Sequence, residues 1–168
     1  EVSIDQEVQM VALNVVATMR IARAAIPGMK ARGSGALISV SSVAGHQPLP
    51  FNSTYSATKA FNLFHSLGLR EELRKSGVRV ITVCPGPVET EFNGVARIPG
   101  TANGGSRESP QVVVRESLQA LWRNQAIVVP GWKAKWLWLW VTILPRRASL
   151  RIVGYLLGKT LKYAEEKR

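Results

Sequence analysis

Apolar residues recur with helical period from the start of the chain. Val8, Val11, Ala12, Val15, Val16, Met19, Ala22 and Ile26 fall three and four positions apart, which lines them along one face of a helix over residues 5–32. Gly33-Ser-Gly35 ends the run. Pro27 predicts a kink or register break near it, because proline lacks the backbone donor and crowds the carbonyl four residues back. Ala36-Leu-Ile-Ser-Val40 reads as a short buried strand, and residues 42–54, with Gly45, Pro48, Pro50 and Asn52, have loop composition. A second helix is predicted over 53–76 with Gly77 as its stop, then a strand at Val78-Arg-Val-Ile-Thr-Val83, broken by Pro85-Gly-Pro87. Residues 91–109 lack periodicity and predict a mobile loop. Pro110 opens a third helix reaching Trp122, and Ala126-Ile-Val-Val129 is a third short strand. Helix and strand alternate throughout, the pattern of an α/β fold with a parallel sheet.

Composition narrows the class. The chain has 168 residues, 46% hydrophobic and 20% charged, with mean hydropathy +0.03. These values exclude a disordered chain and a polytopic membrane protein. The single Cys84 leaves no intrachain disulfide, and two histidines, His46 and His65, leave no four-ligand zinc set. Both histidines read as packed or solvated side chains, although His46 follows Ser42 in the same loop and a substrate contact stays open for it. Glu89 and Glu91 read as solvated charges beside Pro87, and Cys84 as a buried residue with no base to make it a nucleophile.

The net charge of +11 is unevenly placed. Residues 131–168 hold nine basic and two acidic side chains, together with four of the five tryptophans. That clustering argues against a nucleic-acid module, which would spread its basic residues over a binding face. Within the tail, 132–144 is strongly apolar but too short to cross a bilayer, which takes about 20 residues. Pro145-Arg-Arg147 interrupts it, and 148–162 aligns Leu150, Val153, Leu156, Leu157 and Leu161 along one face. Two amphipathic helices on a membrane surface are expected from 132–162. The same residues also suit a cover over a hydrophobic substrate cleft or an oligomer interface. The chain thus divides into a unit at 1–130 and a Trp-rich basic tail at 131–168.

Tyr55-Ser-Ala-Thr-Lys59 places a phenol and an ammonium one turn apart on the second helix. A free Tyr titrates near pH 10, too high for easy proton exchange at neutral pH, and a nearby cation lowers that value. Alone, the pair is a weak signal. Ser42, however, lies 13 residues earlier, at the C-terminal end of a predicted strand, where open α/β sheets place their sites. Asn14 sits within the apolar first helix, where a buried amide needs a partner. Cys84-Pro-Gly-Pro-Val-Glu-Thr90 ends another strand.

Leu13-Asn14-Val15, Ile38-Ser-Val-Ser-Ser42-Val-Ala-Gly45, Tyr55-Ser-Ala-Thr-Lys59 and Pro85-Gly-Pro-Val-Glu-Thr90 together resemble the classical short-chain dehydrogenases/reductases, in order and in spacing. The resemblance covers residues 1 to about 130, the second half of that fold. It implies a partial doubly wound, Rossmann-like parallel sheet in three α/β/α layers, followed by the helical tail. By this resemblance Tyr55 is the general acid or base, Lys59 lowers its pKa and bonds the nicotinamide ribose, and Ser42 polarises the substrate oxygen. Asn14 fixes a water in a relay to Lys59, and Pro85, Gly86, Val88 and Thr90 border the nicotinamide. Spacing to Tyr55 selects Ser42 over Ser41.

The implied cofactor is NAD(P), with NADP(H) favoured. The implied substrate is a hydrophobic, lipid- or steroid-like carbonyl or alcohol. A homo-oligomer in the cytoplasm is expected, with the tail at a membrane surface. The family's Gly-rich turn between first strand and first helix does not occur in this sequence; Gly33-Ser-Gly35 precedes a strand and cannot cradle a pyrophosphate, which needs a helix N-terminus. The sequence is therefore expected to be the later part of a longer enzyme and to bind dinucleotide poorly as it stands. The other function in view is a catalytically inactive membrane-associated or partner-binding protein that retains the motif.

Overall fold

The computed structural model describes residues 2–89 and 107–165, with the side chains of 160–165 excepted. Helix α1 runs from Ile4 to Ala31. Ser3 caps it: its hydroxyl accepts from the Gln6 amide while the Gln6 side chain accepts from the Ser3 amide. The kink or register break expected near Pro27 does not occur. The helix continues through Pro27, and its backbone instead widens into a π turn over Ala12–Ala17, centred on Asn14 and Val15. By length and hydropathy α1 is the one helix among the described residues that is able to cross a membrane. It instead packs on the sheet through Ala22, Ile26 and Met29.

Strand β1 (Gly35–Val40) leads through a 3₁₀ turn at Val43–His46 to α2 (Ser53–Glu72). Helix α2 stops before the expected Ser76. There the Ser76 hydroxyl donates to the Leu73 carbonyl, and residues 73–77 wind into turns ending at Gly77 (φ 76°). Strand β2 (Val78–Val83) follows, then α3 (Pro110–Trp122), β3 (Ile127–Val128), α4 (Trp132–Ile143) and α5 (Arg146–Glu165). Ser109 caps α3 through the Val112 amide, with Pro110 in its first turn. The expected loop at 91–109 lies outside the described residues except for 107–109.

The strands form a parallel sheet ordered β1-β2-β3, with Gly35 opposite Val78 and Val83 opposite Val128. Helices cover both faces. Val78 and Val80 of β2 pack with Leu37 and Leu69 beneath α1 and α2, whereas Ile81 and Val83 pack with Ala120 and Leu121 of α3. Burial on both faces explains the almost unbroken apolar run of β2. Strand β1 is different: Ile38 and Val40 remain 40% and 55% exposed, and among the described residues its outer edge pairs with no strand.

Candidate active site

The candidate residues Ser42, Tyr55, Lys59, Pro85 and Gly86 gather at the C-terminal ends of β1 and β2. Beyond Val40 the chain turns into extended Ser41 and Ser42, and the Ser41 amide still reaches the Val83 carbonyl at 2.8 Å. The two adjacent serines then point to different neighbours. Ser41 is buried and donates to the Lys59 carbonyl at 2.7 Å, which straps the strand end to α2. Ser42 accepts from the Ala44 amide at 3.1 Å, donates to the Pro85 carbonyl at 3.3 Å, and lies within hydrogen-bonding reach of the Tyr55 side chain. Gly45 makes this approach possible, because a Cβ there would stand 2.8 Å from the Lys59 backbone and from Ser41 Oγ. That requirement is invisible in the sequence.

Tyr55 and Lys59 occupy successive turns of α2 on the face towards Ser42. Burial pushes the Tyr55 phenol above its ordinary range, and the Ser42 hydrogen bond draws it back down. The Lys59 ammonium donates to the Val40 carbonyl at 3.2 Å and stands 5.8 Å from the centre of the Tyr55 ring, so the cation is anchored to the strand end. Burial in turn lowers the Lys59 pKa, with the neighbouring Cys84 sulfur acting against that shift.

Asn14 sits in the π turn of α1, and its amide donates to Thr58 Oγ1 at 3.0 Å. Thr58 in turn donates to the Tyr55 carbonyl at 2.8 Å, so Asn14 is tied to the turn of α2 that carries Tyr55 and Lys59. Asn14 and Lys59 also line one hollow of about 340 Å³ between α1, β1 and α2. A larger hollow of about 850 Å³ lies between α3, β3 and α4 and holds none of these four residues.

Pro85 and Gly86 follow β2, and the Pro85 carbonyl accepts from the Val43 amide at 3.0 Å. Val88 bridges to Glu108. Thr90 and Glu91 lie outside the described residues, and Glu89 is exposed as expected. Cys84 is fully buried, its thiol pushed up to about 11 by desolvation, which leaves it unreactive near neutral pH. His65 stacks on Phe61 at 5.2 Å. His46 is a packed histidine, one of the two readings the sequence left for it. Its Nδ1 accepts from Trp138 Nε1 at 3.3 Å, with the rings edge to face and the imidazole pKa lowered by burial.

These donors match one end of a dinucleotide. A cationic Lys59 with donor capacity beyond its bond to Val40, beside a phenolic hydroxyl at strand C-termini, suits a ribose diol. Nothing among the described residues offers a Gly-rich turn opening a helix, the arrangement that holds a pyrophosphate. The fit is to the nicotinamide-ribose end alone.

Comparison with known proteins agrees with this geometry. The family model described as short chain dehydrogenase matches residues 1–98. A very-long-chain 3-oxoacyl-CoA reductase of Bos taurus is 32% identical over 113 residues, 67% of this chain and 35% of the relative. A short chain dehydrogenase from Burkholderia cenocepacia, solved in complex with NADP, superposes with TM-score 0.70 at 27% identity, over 93% of this chain and 60% of that one. One from Sphingobium yanoikuyae, in complex with NADPH, gives TM-score 0.67 at 35% identity, over 75% and 50% of the two chains. This chain therefore spans about a third of the bovine relative and half or more of the solved ones. Family model, Rossmann-like sheet and the Ser42–Tyr55–Lys59 cluster all lead to one conclusion: the chain belongs to the short-chain dehydrogenase/reductase family.

Proposed function

We propose that this chain is the catalytic portion of an NAD(P)-dependent oxidoreductase that interconverts a carbonyl and a secondary alcohol. The Ser42–Tyr55 hydrogen bond on the Lys59 face of α2 carries this reading. The nicotinamide, when bound, supplies or takes up the hydride. The chain's own residues handle the oxygen and its proton. Ser42 donates to the substrate oxygen and holds it beside Tyr55. Tyr55 is the general acid in reduction and the general base in oxidation. Lys59 binds the ribose and supplies positive charge behind the phenol. Asn14, through Thr58, fixes the helical turn bearing both, and with Lys59 it borders a hollow roomy enough for ordered water. Pro85, Gly86, Val88 and Thr90 border the nicotinamide.

A hydrophobic carbonyl, such as a lipid-like or steroid-like ketone, is the proposed substrate. Apolar α4 beside the site loop and the long-chain oxoacyl substrate named for the bovine relative both support it. NADP(H) is the favoured nucleotide, in line with the two solved relatives, which hold NADP and NADPH. We further propose that the working enzyme includes additional chain carrying the pyrophosphate turn. The bare edge of β1 and its exposed Ile38 and Val40 support this, because edge strands with apolar faces ordinarily pair or are covered. Assembly with further copies in the cytoplasm, through the apolar positions that α1 and α2 expose at Ile4, Val8, Leu13 and Phe64, completes the proposal.

Calorimetric titration of NADPH and NADH into this chain and into one extended upstream tests the reading. Binding confined to the extended chain, with NADPH the tighter, is the expected result. Absence of binding by both would overturn the oxidoreductase reading and favour an inactive protein that keeps the motif.

A further inference from the structure

Helix α4 turns its apolar side chains away from the molecule. Ala134 faces inward against Gly86, while Trp132, Trp136, Trp140 and Ile143, which line the opposite side of the helix, are 66%, 58%, 61% and 70% exposed. A helix apolar on nearly all sides belongs in a core or in lipid, and this one buries little more than Ala134 and part of Trp138. Helix α5 is amphipathic in the same outward sense. Arg151, Tyr155 and Lys159 follow at intervals of four along its exposed side, next to Ile152 and Leu156.

Charge identifies what covers this surface. From Gly131 to Lys159 the chain holds six Lys and Arg and no Asp or Glu. Lys135 makes a salt bridge with Glu116 at 3.0 Å. Lys133 lies 5.4 Å over the ring of Trp132, a cation and an indole presented side by side. We propose that α4 and the outer side of α5 form a docking surface for an anionic lipid bilayer, lying in the headgroup region with the tryptophans towards the acyl chains. At 12 residues α4 is too short to span a hydrocarbon core of about 30 Å and lies along it instead. A second copy of the chain would bring the same positive surface against itself, which charge disfavours.

This surface is joined to the site. Trp138 of α4 bonds His46, Ser149 of α5 donates to Gln47, and Pro50 and Phe51 pack against Gly154 and Gly158. The loop after Ser42 therefore rests on the two docking helices, and the site is held at the bilayer where an apolar ketone would be dissolved. Docking itself does not depend on the oxidoreductase reading, since vesicle binding is measured without turnover.

The test is co-sedimentation of the full 168-residue chain with vesicles of phosphatidylcholine alone and of phosphatidylcholine mixed with phosphatidylglycerol, with tryptophan emission followed in parallel. Binding to the mixed vesicles with a blue-shifted emission, weakened by added salt, is expected. Arg147→Glu/Arg151→Glu should weaken it by about tenfold or more, since each basic residue near an anionic surface adds roughly a fivefold affinity. Trp136→Ser/Trp140→Ser should do likewise, with unchanged circular dichroism. Failure to bind either vesicle overturns the proposal, as does equal binding to both. Loss of a concentration-dependent dimer in the tryptophan variant, without vesicle binding, would instead assign the surface to a second copy and also overturn it.

Discussion

Tyr55 is held between two opposed influences, burial that favours the neutral phenol and a Ser42 hydrogen bond that favours the phenolate. Ser42→Ala removes the second. In a chain extended to bind nucleotide, the rising limb of the pH–rate profile for alcohol oxidation should then move to higher pH, and kcat should fall about 100-fold, the lower range for general acid–base catalysis. An unmoved limb would separate Ser42 from the phenol. Cys84 gives a second prediction, on stability. Its folded pKa of about 11 exceeds the ordinary 9.0, so the folded state keeps a proton that the unfolded state loses between those values. The stability this contributes is complete below pH 9 and disappears as pH rises through 11, about 2–3 kcal/mol by linkage. Urea unfolding of wild type and Cys84→Ala at pH 8 and pH 11 should show the smaller loss in the variant. At this scale the identities and order of Asn14, Ser42, Tyr55 and Lys59 were legible in the sequence. The bond from Lys59 to Val40, which anchors the cation at the strand end, was not, because it depends on where α2 crosses the strand end.

Helix α4 and the loop after β1 meet through one well-defined contact. Trp138→Phe keeps most of the ring volume and deletes the N–H donated to His46, a loss of about 0.5–1.5 kcal/mol for a typical hydrogen bond. Hydrogen exchange should quicken over residues 43–52 and remain unchanged in β2. Uniform protection across both would show that the contact does not hold the loop. The elements themselves were readable wherever periodicity was strong, in α1, β1, β2 and α3. Three features escaped that reading. The π turn at Ala12–Ala17 leaves no mark on apolar spacing, α2 ends early because Ser76 bonds the Leu73 carbonyl, and Gly45 is required by an approach to Lys59 distant in sequence. Each is set by tertiary contact or by backbone geometry, which composition does not encode.

Taken together, the described residues form a three-stranded parallel sheet with helices on both faces, a site at its strand ends and a positively charged, tryptophan-bearing tail packed against the site loop. Its β1 edge is unpaired among the described residues, and its donors match only the ribose end of a dinucleotide. Alternation of elements made the sheet's class legible from the sequence, whereas the outward turn of the α4 tryptophans became visible only when Ala134 was seen against Gly86. The central claim is that Tyr55 handles the proton of a carbonyl reduction. Turnover of NADPH with a hydrophobic ketone, compared between a catalytically competent, upstream-extended chain and its Tyr55→Phe variant, tests it most directly. The account predicts a fall of 100-fold or more, within the roughly 10²–10⁴ range for general acid–base catalysis, with nucleotide affinity and unfolding midpoint little changed. Activity near wild type in the variant would contradict it.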